Sequence, residues 1–447
     1  MRGDFFSTVG EIVKYGGSTF AALVTACLYT ATDSFFIGNW VGGDGLKAMA
    51  VVFPVTMIFT ALGKLFEIGG SAVVAEKIGA GQKSLAEQIM RTNYICAFGV
   101  GVIVAVVGNV LLELPLRALV DNPEEHAIID MAVGFLRITL CGLPFLLTGL
   151  LTQTFMRCIE RPTHVFYMVP ICALTNIILD ALFIVAFGWG MTGAAGATLI
   201  AQILGAAISL WYFKYSRQKF SSSGLAGAEY LWLAWKIGVG FAVADVMMCA
   251  IEFFLNGVLF TLDASHLLAT VAVANTILSF VYLPLEGLDT GTQPLISKFF
   301  AAKKIEHCLR VMRYNFALTM ALTFAMYALI MIFAKEVADF FITDNEPITD
   351  EMITFLRLTF LLQPFIGVYT WLNGIMAALE DEWRNLVVNF LPLVVQVPLI
   401  WLLPKFLPIE YVALNYSIMD VCYAAAAFLL IRPFLRSKGL SLKKIFA

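Results

Sequence analysis

The sequence predicts an all-α polytopic membrane protein: about twelve transmembrane helices in two pseudo-symmetric six-helix lobes. Three observations predict it. Of 447 residues, 60% are hydrophobic and only 14% are charged, and the mean hydropathy is +0.85, so almost every long segment is apolar enough to leave water. Apolar runs of about 20 residues or more, long enough to cross a hydrocarbon core of about 30 Å, alternate with short polar breaks along the chain. The chain also repeats itself. Residues 135–145 read FLRITLCGLPF and residues 355–365 read FLRLTFLLQPF, with six identities in eleven. A second echo at nearly the same offset relates Gly70, Lys83 and Asn93 to Gly291, Lys304 and Asn315. Two such pairs are what a half written twice would leave, as in transporters built from related bundles.

The expected helices follow from the breaks. Helix 1 (14–40) is too long for a signal-peptide core and lacks an A-x-A-like cleavage site, so no cleavable leader is expected. Helix 2 (48–76) lies between the turn residues GGDG at 42–45 and Lys77, and helix 3 (92–117) runs from beyond Arg91 to Arg117. Helix 4 (131–156) follows the acidic DNPEE at 121–125 and stops before Arg157, while helices 5 (164–188) and 6 (191–214) are divided around Trp189. The longest polar connection, SRQKFSSSGLAGAEY at 216–230, is the natural linker between a lobe of residues 1–215 and a lobe of residues 231–447 with a short basic tail. Helices 7 (231–260) and 8 (266–297) are parted near Asp263, and helix 9 (311–334) follows Lys303 and Lys304. TDNEPITDE from Thr343 precedes helix 10 (351–378), EDEWR from Glu380 precedes helix 11 (385–406), and Pro408 precedes helix 12 (409–432).

Basic residues orient the chain. They crowd the even-numbered loops and the C-terminus (Lys77, Lys83, Arg91; Arg157, Arg161; Lys214, Arg217, Lys219; Lys298, Lys303, Lys304, Arg310, Arg313; Arg432, Arg436, Lys438, Lys443, Lys444), whereas the odd-numbered loops carry scattered single bases and acids. By the positive-inside rule both termini are cytoplasmic, and the protein is expected as a multi-pass protein of the cell inner (plasma) membrane. The eight cysteines sit singly, most within helices, with no C-x-x-C spacing, and read as small packing residues rather than a metal or disulfide framework. His126, His164, His266 and His307 lie in or beside loops, so any proton coupling must use carboxylates.

Ionisable residues inside the expected helices are more telling, because each costs a few kcal/mol at the bilayer centre unless it faces protein or water. Asp33 on helix 1, Asp180 on helix 5 and Thr198 on helix 6 fall at one depth, roughly 10 Å below the outer surface at about 1.5 Å per residue. Asn176 precedes Asp180 by four residues, so the two share a helix face. Two carboxylates, an amide and a hydroxyl at one depth suit a hard cation such as sodium, or a shared proton. The blander alternative is that each group satisfies a neighbouring backbone.

ATDSFFIGNWVG around Asp33, GGSAVVAEKIGAG around Gly70, MRCIERP around Arg157, the stretch from Asn176 to Thr198, and EGLDTGTQPLISKFFAAKK around Gln293 together resemble, in order and over nearly the whole chain, the multidrug and toxic compound extrusion (MATE) family. The resemblance implies two six-helix lobes in a V around a central cavity, and export of organic cations or other amphipathic compounds driven by inward sodium or protons. It also implies that Asp33, Asn176, Asp180 and Thr198 hold the coupling ion, as in prokaryotic members with an N-lobe site. Two departures stand out. Helix 1 carries Gly16, Gly17 and Ser18 where the family often has a proline, so flexibility there would rest on glycine. Some relatives place coupling acids on helices 7 and 10; here Asp245 and Glu252 lie on helix 7, helix 10 has no central acid, and Asp420 on helix 12 could substitute only by a different geometry.

Four further charges form a quartet, Lys64 and Glu67 on helix 2 with Glu286 and Asp289 on helix 8. The acids fall at near-equivalent positions of the repeat, and the quartet reads as part of a substrate cavity, together with Glu252 and Asp420, or as a gate closed by Lys64. A local Lys64 to Glu67 pair is the alternative. Phe53, Met57, Phe66 and Tyr282 nearby could form a soft apolar wall for varied amphipathic substrates. The leading expectation is a secondary-active exporter that exchanges small amphipathic, cationic compounds for sodium or protons by lobe rocking. It would need no cofactor and no metal beyond the coupling ion, act on small molecules among membrane lipids as a monomer, and bind no nucleic acid. A flippase for a lipid-linked or other polar metabolite is the alternative within transport, though it would call for a basic cavity. A membrane-embedded enzyme is disfavoured, since no nucleophile and base fall at a working spacing.

Overall fold

The computed structural model describes residues 10, 23–25, 27–120, 125–159, 162–215, 224–341, 349–379, 384, 387–388 and 390–446. Gly16, Gly17 and Ser18, the linker at 216–223, Arg161, and most of the acidic loops that begin at Asp121 and Thr343 lie outside the described residues. The described residues are mostly helical, with no strand among them. That is the expected solution for a chain in lipid, where a helix satisfies its own backbone. Ten helices among them are long and apolar enough to cross a membrane, and Leu391–Phe406 is a shorter apolar helix.

The order is α1 (27–36), α2 (Gly43–Gly79), α3 (Lys83–Leu111), the short α4 (Glu113–Arg117), α5 (His126–Cys158), α6 (Pro162–Asp180), α7 (Gly190–Tyr215), α8 (Ala228–Thr261), α9 (Leu267–Ala301), α10 (Ile305–Phe341), α11 (Asp350–Phe360), α12 (Pro364–Ala378), α13 (Leu391–Phe406), α14 (Leu414–Ser437) and α15 (Leu442–Phe446). Most exceed the expected spans by a turn or two. The membrane pattern marks only the apolar stretch, whereas the helices continue into polar ends such as Lys77. Helix α10 extends past the expected end at 334, and its one irregular backbone position, Phe333 (φ −110°, ψ 28°), falls at that end.

The expected tenth helix is broken. Residues 361–363 form a turn between α11 and α12, and Ser417 on α14 serves the broken ladder. Its hydroxyl donates to Leu358 O (2.5 Å) and Thr359 O (3.0 Å) and accepts from the Leu362 N–H (3.2 Å). Free backbone groups in lipid cost several kcal/mol each, so a polar side chain at the break is what lets it persist.

By contact the chain clusters into two compact units, residues 29–272, and residues 273–447 with the first 28. Within the first, α5 packs on α2, α3 and α7, and α8 lies along α2. The α2 to α8 seam depends on two glycines. A Cβ at Gly69 would stand 1.9 Å from Ala234 O, and one at Gly238 2.2 Å from Leu65 O, so the two backbones touch. Close backbone approach is the packing that small residues permit in membranes. Asn256 on α8 adds a hydrogen bond from Nδ2 to Ala50 O at 2.7 Å. In the second unit, Trp371, Leu372, Ile375 and Met376 of α12 form an apolar core with Val311 and Met312 of α10 and Ile431 and Phe434 of α14.

Candidate functional site

Two of the helices that carry the expected site end alike. Helix α1 passes into a π-helix at Ile37–Val41, which stops at Gly42 (φ 95°), and α6 passes at Asp180 into a π-helix at Ala181–Ala186. A π turn widens the helix and commonly marks a functional position. Asp33 thus lies one turn before one π segment and Asp180 at the threshold of the other, and the two π segments contact each other. Aromatic clusters line both: Phe35, Phe36 and Trp40 with centroids 5.4 to 5.9 Å apart, and Phe183, Phe187 and Trp189 at 4.9 to 6.1 Å. Gly193 admits the Phe183 side chain, since a Cβ there would come within 3.1 Å of it.

Asp33, Asn176, Asp180 and Thr198 come together, all nine-tenths or more buried. With its nitrogen facing the carboxylates, the Asn176 amide donates to Asp180 Oδ2 and to Asp33 Oδ1, each at 3.0 Å, while its oxygen accepts from the Thr198 N–H at 3.2 Å. The two carboxyl groups lie within hydrogen-bond reach of each other. Asp180 Oδ1 is buried and receives no donor. Thr198 thus meets Asn176 through its backbone, and its hydroxyl accepts from Tyr29 OH at 3.2 Å. Tyr29 is a member the sequence reading missed. It precedes Asp33 by four residues, the spacing that marked Asn176 and Asp180, but tyrosine on an apolar helix carries little signal by itself.

This donor set fits a small cation. Two buried carboxylates in contact repel unless positive charge lies between them, and an orphan carboxylate oxygen remains to receive it. The amide can turn either its nitrogen or its oxygen toward the pair at almost no steric cost. Among the described residues no group of three or more His, Cys, Asp or Glu could hold a metal ion.

Lys64 Nζ pairs with Asp245 Oδ1 at 2.8 Å, joining α2 to α8. Glu67 accepts from Thr154 Oγ1 on α5 at 2.5 Å. Glu252 is buried on α8, and Asp420 is buried on α14 with its carboxyl bonded to the hydroxyl of Tyr282. Phe53 and Met57 are half-buried, and Phe66 is fully buried, edge-on to Trp235 at 5.9 Å. Asp289 is buried against Asn315, whereas Glu286 is exposed.

The MatE family model matches residues 19–182 and again residues 240–402. The chain belongs to the MatE family. The second match starts at residue 240 and the first at 19, an offset of 221 that agrees with the spacing of the internal echoes. As a member of this family the chain is a multi-pass membrane transporter and not an enzyme. It is 22% identical over 409 residues to the multidrug export protein MepA of Staphylococcus aureus strain bovine RF122 / ET3-1, covering 90% of this chain and 89% of that one. It is 22% identical over 324 residues to the probable multidrug resistance protein YoeA of Bacillus subtilis strain 168, covering 69% and 68%. Its fold is similar to the inward-facing conformation of a multidrug resistance MATE family transporter of the MOP superfamily, with a TM-score of 0.82 at 19% identity, covering 94% of this chain and 99% of the other. The outward-facing conformation of a multidrug resistance MATE family transporter of the MOP superfamily gives a TM-score of 0.77 at 21% identity, with 96% of each chain covered.

Proposed function

We propose that this MatE member is a secondary-active multidrug exporter that couples efflux of small amphipathic, cationic compounds to entry of sodium or protons at the Asp33 and Asp180 pair. The observation that carries the reading is that pair, buried and in contact across α1 and α6, with Asn176 between them. When bound, the coupling ion supplies the positive charge that two adjoining buried carboxylates lack. Asp33 and Asp180 hold α1 against α6 when their charge is balanced and push them apart when it is not. Asn176 follows the charge by presenting oxygen or nitrogen, and Tyr29 and Thr198 tie α1 to α7 beside the pair. The π turns supply the slack that α1 and α6 need to respond. Energetically this is a population shift, in which the ion favours the arrangement that binds it better. Similarity to the multidrug export protein MepA and the probable multidrug resistance protein YoeA supports multidrug export, and the excess of acids over bases at intramembrane positions supports a cationic preference.

The two repeats would act as lobes of residues 1–215 and 231–447, rocking in alternating access, with both termini cytoplasmic as the basic loops imply. The deciding experiment is efflux of a fluorescent cation from proteoliposomes under an imposed sodium gradient and then under a pH gradient. Export driven by either one, and lost in Asp33→Asn, supports the reading. Downhill leakage insensitive to both gradients overturns it.

A further inference from the structure

Asp289 on α9 is 4% exposed, and among the described residues its side chain receives one hydrogen bond, from a neutral group. Asn315 Nδ2 on α10 donates to Asp289 Oδ1 at 3.0 Å. The other oxygen of each partner, Asp289 Oδ2 and Asn315 Oδ1, is a buried acceptor with no donor. Gly374 on α12 closes the site, since a Cβ there would stand 3.1 Å from Asp289 Cγ. A carboxylate with one neutral donor in a low-dielectric interior is costly, and so are two orphan acceptors on bonded groups.

The repeat makes this place more than an isolated buried acid. At offsets of 220 to 222 residues, Asp289, Asn315 and Gly374 correspond to Glu67, Asn93 and Thr154. In the first repeat the carboxylate takes a hydroxyl donor from Thr154, and Asn93 turns its Nδ2 to Ile89 O. In the second, Gly374 removes the hydroxyl and Asn315 turns to the acid instead. The acid thus persists at this position of both repeats while its partners change.

We propose that Asp289 is a second proton-loading group of the transporter, with Asn315 as its positioning residue. The proposal rests on the reading of the chain as a cation-driven exporter. A proton taken from water onto Oδ2 turns one orphan acceptor into a donor and removes the buried charge, and it returns to water when the site opens. An acid and an amide are complementary partners, each offering one donor and one acceptor. Sodium fits less well, because hard cations take about six oxygens and Gly374 offers none from a side chain. The titratable groups that act electrostatically on Asp289 are Glu286, one turn earlier on α9, and Tyr369 on α12.

The test uses the purified full chain in detergent with dicyclohexylcarbodiimide, which modifies protonated carboxyls in apolar surroundings, followed by peptide mass spectrometry across pH. The expected result is an adduct on Asp289 whose yield falls about tenfold per pH unit on the alkaline side and is unchanged when sodium replaces choline. Asn315→Ala should move that pH profile, which a purely structural contact would not do. As a second measurement, the infrared band of a protonated carboxyl should be lost in Asp289→Asn. Suppression of the adduct by sodium would overturn the proton assignment, and absence of both the adduct and the band would overturn the site. Neither readout depends on Asp33 or on export. A failure here with export intact sinks only this inference, while labelling of Asp289 with gradient-independent efflux sinks only the coupling scheme.

Discussion

At Asp33 and Asp180, two like charges share one amide, and removing either should uncouple the site rather than unfold the chain, because asparagine keeps the shape. Asp33→Asn and Asp180→Asn are each expected to abolish gradient-driven export with normal expression, measured in proteoliposomes. Asn176→Ala and Tyr29→Phe remove supporting groups and should lower the ion-driven rate about tenfold, the scale of losing an outer partner of an ion ligand. Full export by both aspartate variants would remove the assignment. A second residue-scale expectation concerns the exposed network of α4 and α5, where Glu113 bonds Arg117 (2.7 Å) and Arg137 (2.8 Å). The Arg117 hydrogen bond, then its charge, holds the Glu113 carboxyl below the usual range. Its folded value is therefore depressed, so its contribution to stability is present above the unfolded value and lost as pH falls through the folded one. The melting temperature of Glu113→Gln should fall below that of the parent near neutrality, and the gap should close below about pH 4. A gap that widens in acid would contradict the sign.

At the scale of helices, the α2 to α8 seam sets the sharpest constraint. A methyl on Gly69 or Gly238 meets backbone, which cannot give way, whereas one on Gly63 meets only the Leu150 Cδ1 tip at 2.6 Å. Overpacking of this kind costs about 1–3 kcal/mol or more. Gly69→Ala and Gly238→Ala are expected to lower the melting temperature measured by fluorescence-detected size exclusion, and Gly63→Ala to do so much less. Equal shifts for all three would mean that the backbones do not touch. The same seam carries the Lys64 to Asp245 pair, which joins positions 181 residues apart in sequence.

For the whole molecule, the basic-loop asymmetry predicts which ends face the cytoplasm. All eight native cysteines are free thiols, so a background without them is the starting point. Asp350→Cys should react with an impermeant thiol reagent added outside intact cells, while Lys304→Cys and Lys438→Cys should react only after permeabilisation. All three positions are exposed, so access through the membrane decides the result. Labelling of Lys304→Cys and Asp350→Cys from the same side would contradict a membrane crossing by α10, and labelling of all three from the opposite sides would invert the orientation.

Much of this was legible in the residues themselves. Asp33, Asn176 and Asp180 could be read because charge inside an apolar span is costly and rarely idle, and because four-residue spacing puts two of them on one helical face. The membrane class and the repeat were legible because hydropathy and identity are properties of the string. Tertiary structure decided what depends on partners distant in sequence. FLRITLCGLPF lies within the continuous α5, while FLRLTFLLQPF breaks at 361–363, although both carry proline at the same place. The break has Ser417, on another helix, to take up its backbone groups. The sequence points to the Thr198 hydroxyl, yet in the fold Thr198 meets Asn176 through its N–H while its hydroxyl accepts from Tyr29. Lys64 pairs with Asp245 because Gly69 and Gly238 bring two backbones into contact. A local pattern states what each residue costs to bury, and only the packed chain supplies the group that offsets the cost.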